Sequence, residues 1–217
     1  MQTKDIRGIK KTTKSLVLAR YNEDVSWTKE IVSYFDNIFI YNKGSDTIYF
    51  DYANVKNVNN VGRESQTYVQ FIIDNYNTMT DYVLFSQARP EDRGWDKDIN
   101  KFITNIKEVS FCSEPFGALG WVNVETLERQ EPIEEHKFQE MRYRDEFESL
   151  FKTNYPKAIL YSSGATLWVS SKNIKSRSLK FYCHLNERLN KDIHPPMAWI
   201  VERFWALIFS PNVPSLL

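Results

Sequence analysis

Two hydrophobic rhythms divide the chain. Residues 15–20, SLVLAR, form a short unbroken apolar run that ends in the polar YNED, and residues 37–44, NIFIYNKG, repeat the arrangement. Apolar runs of this length bounded by polar turns predict strands buried on both faces. Between them, VSWTKEIVSYF sets Val25, Trp27, Ile31, Val32 and Phe35 at mixed spacings of three and four, which predicts a helix with Asp24 or Ser26 as its N-cap. A second helix, from about Arg63 to Tyr76, leads into a third apolar run, DYVLFSQA at 81–88. Strand, helix, strand, helix, strand is the order of an α/β domain with a mostly parallel central sheet flanked by helices. Ligands of such sheets bind outside the carboxyl ends of the strands.

The second half is less regular. FCSEPFGALGWVNV mixes glycine and proline with aromatics, predicting a loop or bent strand beside a ligand. PIEEHKFQEMRYRDEFESLF reads as a charged helix, and AILYSSGATLWVSS as two short strands joined by a turn at Gly164. Residues 172–190 read as one amphipathic helix, and Pro195 and Pro196 open a last helix near Met197. There is no internal repeat or low-complexity tract. The expectation is a single domain over residues 1–217, with a nucleotide-binding half at about 15–110 and a second half at about 111–210.

Composition narrows the class. A chain of 217 residues can bury about 70% of its unfolded surface in one core. Its 28 basic and 28 acidic residues cancel, so an anion site must be built locally and nucleic acid is not an expected partner. Cys112 and Cys183 have neither zinc-site nor disulfide-framework spacing. The N-terminal MQTKDIRGIKKTTK lacks the apolar segment of a secretory signal, and MAWIVERFWALIF is broken by Glu202 and Arg203 and is too short to span a bilayer. A cytoplasmic location follows as the expectation.

The candidate chemistry gathers at strand ends. In NNVGRESQTYVQFIIDNY, Gly62 stands where the chain turns into a helix, and Arg63 with the free amides of Glu64 and Ser65 would face an anion at the helix's positive end. A guanidinium grips phosphate through two parallel hydrogen bonds. The plain alternative is that Asn60 caps the helix and Arg63 is solvated. Arg20, Asn22, Glu23, Asp24, Asn42 and Lys43 end the first two strands and should meet Gly62, Arg63 and Asn60 at one edge, with Gln87 at the end of the third. Amides suit a base, carboxylates suit ribose hydroxyls, and cations suit phosphates. For a divalent ion, Mn²⁺ or Mg²⁺, the candidates are the pair Asp96 and Asp98, or Glu91 and Asp92, with His194 as a late ligand. The pair at 96 and 98 also fits the first turn of a helix. Glu91 or Asp92 is alternatively a general base toward an acceptor hydroxyl. His136 and His184 lack metal-site spacing. Trp95, Trp121 and Trp168 offer aromatic faces for stacking on a ligand's rings, and Gly164 and Glu202 are further candidates to line a substrate.

LVLARYNEDVSW, IYNKG, NVGRESQTYVQFIIDNY, YVLFSQARP, SSGATLWVSSKNIKSRSLKFY and ERFWALIF together resemble the domain of unknown function 3431, found in fungi, algae and large DNA viruses. That family is similar to glycosyltransferases of the GT-A fold, and the chain looks like the glycosyltransferase domains of large algal viruses. The resemblance implies a Rossmann-like GT-A fold, a nucleotide-sugar donor, a uridine one, across the first strand ends, often with Mn²⁺, and an acceptor glycan on the carboxyl-terminal half. In a sugar transfer, Arg63 would stabilise the departing diphosphate and Glu91 or Asp92 would take the acceptor proton. Two features depart from the pattern: YVLFSQARP carries no D-x-D pair, and Trp205 is followed by Ala206 where histidine is common. Two other readings stay open: a non-catalytic nucleotide or sugar binding module, and a nucleotidyltransferase.

Overall fold

Leu16, Val17 and Leu18 are all without solvent exposure, so β1 (Lys14–Arg20) must be covered on both faces. It sits centrally in a six-stranded sheet seen in a computed structural model that describes residues 11–90, 98–108, 114–119, 122–126, 143–162 and 165–209. β2 (Asn37–Asn42) and β4 (Tyr82–Gln87) flank β1 in parallel, and β3 (Asn54–Asn57) lies parallel outside β2. Beyond β4 the sheet reverses. β8 (Leu167–Ser170) pairs antiparallel with β4, and β5 (Phe116–Ala118) antiparallel with β8.

The expected mostly parallel sheet is therefore corrected to a mixed one, in the order β3-β2-β1-β4-β8-β5. The two short strands expected at 158–171 do not pair with each other. β7 (Ala158–Ser162) joins β6 (Val122–Thr126) in a separate two-stranded ladder, while β8 enters the main sheet. β8 follows β7 after only residues 163–166, yet the two belong to different sheets. β3, NVKN, has no apolar run and gives no strand signal in the sequence.

Alternation along β1 splits the core. Leu16 and Leu18 join Ile38, Ile40 and Leu84 on one face, under a 3₁₀ helix (Ser26–Tyr34) and α2 (Ile99–Glu108). Val17 joins Val83, Phe85, Leu167 and Val169 on the other. That second face is covered by α1 (Arg63–Asn75), α3 (Tyr143–Phe151), α4 (Ser171–Ile174), α5 (Leu179–Leu189) and α6 (Pro196–Phe209).

The single helix expected over 172–190 is two. Ser170 and Ser178 each cap a new helix, accepting from the amides of Asn173 and Phe181 at 3.2 Å. The break lets Arg177 lie over the rings of Phe151 and Phe181 and donate to the carbonyls of Leu207 and Ile208, which end α6 without intrahelical partners. No helix among the described residues is long and apolar enough to cross a membrane.

Phe204 is fully buried, its ring meeting those of Tyr143, Phe147, Phe151 and Tyr155. Phe204→Ala is expected to cost about 3–5 kcal/mol, read as a lower denaturation midpoint at unchanged slope.

Candidate functional site

β1, β2, β3 and β4 all point their carboxyl ends to one edge, and α1 begins there. Winding runs outward from β1 to β2 and β3, and then jumps to β4 on the other side. The change of direction between β1 and β4 is where an open α/β sheet leaves a crevice. A cleft of about 470 Å³ lies there, lined by Ala19, Arg20, Tyr21, Glu23, Lys43, Asn60, Arg63, Glu64, Gln87, Ile193 and His194.

One wall is set by a buried polar knot. Arg20, only 5% exposed, donates through Nε to the Glu23 carbonyl, and through its two terminal nitrogens to the Tyr21 carbonyl, Asn42 Oδ1 and both carboxylate oxygens of Asp46. The guanidinium holds the Asp46 carboxyl below the usual range. Asn42, fully buried, accepts from Arg20 and Gly44 and donates to the Asp46 carbonyl and Asn57 Oδ1. Glu23 folds its carboxylate onto the amides of Tyr21 and Asn22. Strand ends that carry polar residues thus bind each other before any ligand does.

The opposite wall is the turn into α1. Gly62 (φ +63°) and Arg63 (φ +53°) are both left-handed. A Cβ on Gly62 would stand 2.4 Å from Gln66 Cβ and 2.6 Å from the Leu189 carbonyl oxygen, so a side chain is excluded there by the protein itself. The Gly62 amide donates to the Asp192 carbonyl at 2.8 Å, fastening the turn to the loop between α5 and α6 that supplies Ile193 and His194. Gly62 is the N-cap residue, with no side-chain cap bond, so Asn60 is not the cap. The guanidinium of Arg63 lies 3.8 Å above the Trp199 ring and its Nε is 3.5 Å from Glu64 Oε2. Lys43, 8% exposed, reaches across from β2 to donate to the carbonyls of Val61 and Arg63. Burial pulls its ammonium down to about 8, and the nearby Glu64 carboxylate opposes that fall.

A family model described as "Protein of unknown function (DUF3431)" matches residues 16–214. The chain belongs to the DUF3431 family. No curated protein and no solved structure matches it. The description assigns no activity, so the chemistry of this DUF3431 chain rests on its own residues.

Of the residues expected at the site, Arg20, Glu23, Lys43, Asn60, Arg63, Gln87 and His194 line the DUF3431 cleft. Asn42 and Gly62 stand behind it as supports, and Arg20, though at the wall, has its guanidinium turned into the knot. Asn22 is exposed outside the cleft. Asp24 is held by the amide and hydroxyl of Ser26, which lower its carboxyl, and faces a separate hollow with Trp27, Glu30 and Arg89. Asp98 lies just ahead of α2, whose first turn holds no acidic residue, and accepts from the Asn100 amide. Glu202, on α6, is not among the cleft residues; its charge, with that of Glu64, adds to the burial that raises the Tyr68 hydroxyl. Trp168 packs its ring against Gly117. Glu91, Asp92, Trp95, Asp96, Trp121 and Gly164 lie outside the described residues. Among those described, no group of three His, Cys, Asp or Glu side chains is placed to hold a metal ion. Tyr21, Glu64, Ile193 and Trp199 were not foreseen as side chains of the site; only Glu64, next to Arg63, had a signal to find it by.

Asn42→Ala leaves buried Arg20 and Gly44 donors short of an acceptor and is expected to cost about 1–3 kcal/mol, measured by denaturation without ligand. Lys43 has a pH signature of its own. Its folded value, about 8, lies below the ordinary 10.5, so between those values the unfolded chain holds more protons and stability rises with pH. The difference between wild type and Lys43→Met, followed by denaturation from pH 7 to 10.5, should show that rise.

Proposed function

We propose that this DUF3431 protein is a glycosyltransferase that moves a sugar from a nucleoside diphosphate donor, a uridine one, to a hydroxyl of a glycan. One observation carries the reading: Arg63, Lys43 and the first turn of α1 converge on a cleft at the crossover between β1 and β4. A left-handed Arg63 followed by a helical Glu64 makes successive N–H groups curve into a nest, a form that receives anions. Carboxylates of Glu23 and Glu64 in the same cleft suit ribose hydroxyls, and the 470 Å³ volume suits a nucleotide. The resemblance of the strand-end motifs to GT-A glycosyltransferases selects sugar transfer from the reactions a bound nucleoside diphosphate allows.

In this reading the anomeric carbon's bond to the diphosphate oxygen breaks, and the new bond forms to the acceptor oxygen. The leaving diphosphate carries the charge, and Arg63, Lys43 and the α1 amides stabilise it where it develops. The acceptor's proton goes to a base, for which Glu91 and Asp92 are the candidates. For Mn²⁺ or Mg²⁺, the candidate carboxylates Glu91, Asp92 and Asp96 lie outside the described residues.

The strain at Arg63 provides a test. A non-glycine residue pays roughly 1 kcal/mol or more for the left-handed region. Arg63→Gly is therefore expected to be about 1 kcal/mol more stable than Arg63→Ala, while both lose at least about tenfold in UDP affinity. Near a hundred times its dissociation constant, UDP adds about 2.7 kcal/mol, which raises the wild-type melting temperature by roughly 5 to 10 °C. Absence of a shift with UDP, GDP, CDP and their sugars would overturn the proposal. Binding without transfer would mark a binding module, and release of pyrophosphate a nucleotidyltransferase.

A further inference from the structure

Lys43 makes two hydrogen bonds inside the protein, to the carbonyls of Val61 and Arg63. An ammonium has three N–H groups, and Lys43 also lines the cleft. We propose that Lys43 receives the ligand's anionic group on its third N–H and takes up a proton as that group binds. The inference rests on the nucleoside diphosphate reading above and adds a role for the proton.

The geometry separates holding the turn from binding the ligand. A neutral amine keeps two N–H groups, enough to retain both carbonyls. What it loses is the third donor, and a lone pair takes its place on the side where an anion would sit. Deprotonation therefore leaves the Gly62–Arg63 turn fastened and makes the cleft poorer for anions. The charged and titratable groups around Lys43 are Arg63 and Glu64 from α1, Tyr21 and Glu23 from the loop after β1, and His194 from the loop before α6; Arg20 has its charge on Asp46. Glu64 favours the ammonium, yet burial outweighs it and leaves Lys43 at about 8. An anion in the cleft favours the charged form further. By linkage, a ligand that binds the protonated state draws a proton from the buffer wherever free Lys43 is neutral.

The experiment is calorimetry of UDP binding to the full chain at pH 8.5, in buffers of different ionisation enthalpy. Imidazole and phosphate groups ordinarily titrate well below that pH. Wild type is expected to take up about three-quarters of a proton at pH 8.5 and to bind about tenfold more weakly at pH 9 than at pH 7. Lys43→Arg, charged throughout, should take up none and bind with level affinity over that range. Lys43→Met should bind weakly at every pH. Should either variant not fold, the wild-type titration alone decides. UDP binding without proton uptake, or uptake that persists in Lys43→Arg, overturns the inference and leaves the nucleotide reading standing. If UDP does not bind at pH 7 the nucleotide reading falls, and inorganic pyrophosphate, titrated in parallel, then judges Lys43 as an anion receptor. No binding of either overturns both.

Discussion

Two consecutive left-handed residues, Gly62 and Arg63, fix where α1 begins and so where its positive end stands. Backbone in that region is unfavourable for a residue with a side chain, and it persists because its surroundings leave no alternative. Asp192 holds the Gly62 amide, the Leu189 carbonyl closes the space beside its Cα, and Lys43 ties the carbonyls on either side. Arg63 then rests on Trp199 at the cleft wall. Remove this turn and the cations of the cleft no longer share a direction.

The cleft's charge is arranged on a chain with no net charge, and the arrangement depends on pairing some groups away. Arg20 is neutralised by Asp46 and contributes rigidity. Arg63 and Lys43 share the cleft with Glu23 and Glu64, so its lining carries charges of both signs. Water is partly excluded by Tyr21 and Ile193, which remain about half exposed at the cleft.

The parallel half of the fold was legible because burial on both faces writes continuous apolar runs, as in β1, β2 and β4. The edge strand β3 had no such run, since its residues are half in water. The antiparallel entry of β8 was hidden because a strand's direction leaves no mark in its side-chain pattern. The break between α4 and α5 was written in Ser178, but an amphipathic rhythm on both sides masked it. The sequence grouped seven residues that line the cleft at this edge. It could not tell Arg20 and Asn42, which bind each other, from residues that face a ligand, since residue type is the same in both uses. Trp199 carries no signal at all, because an aromatic residue on an apolar helix reads as core.

The bond from the Gly62 amide to the Asp192 carbonyl has a consequence for how the protein comes into being. The four parallel strands and α1 are complete in the chain by residue 87, yet the turn that aims α1 is held by residues a ribosome delivers only much later. Contacts of such long range form late, after their loop-closure cost is met. A nascent chain can therefore bring the four parallel strands together well before it owns a cleft. The cleft is completed last, with the closing of the carboxyl-terminal helices over a turn laid down near the beginning.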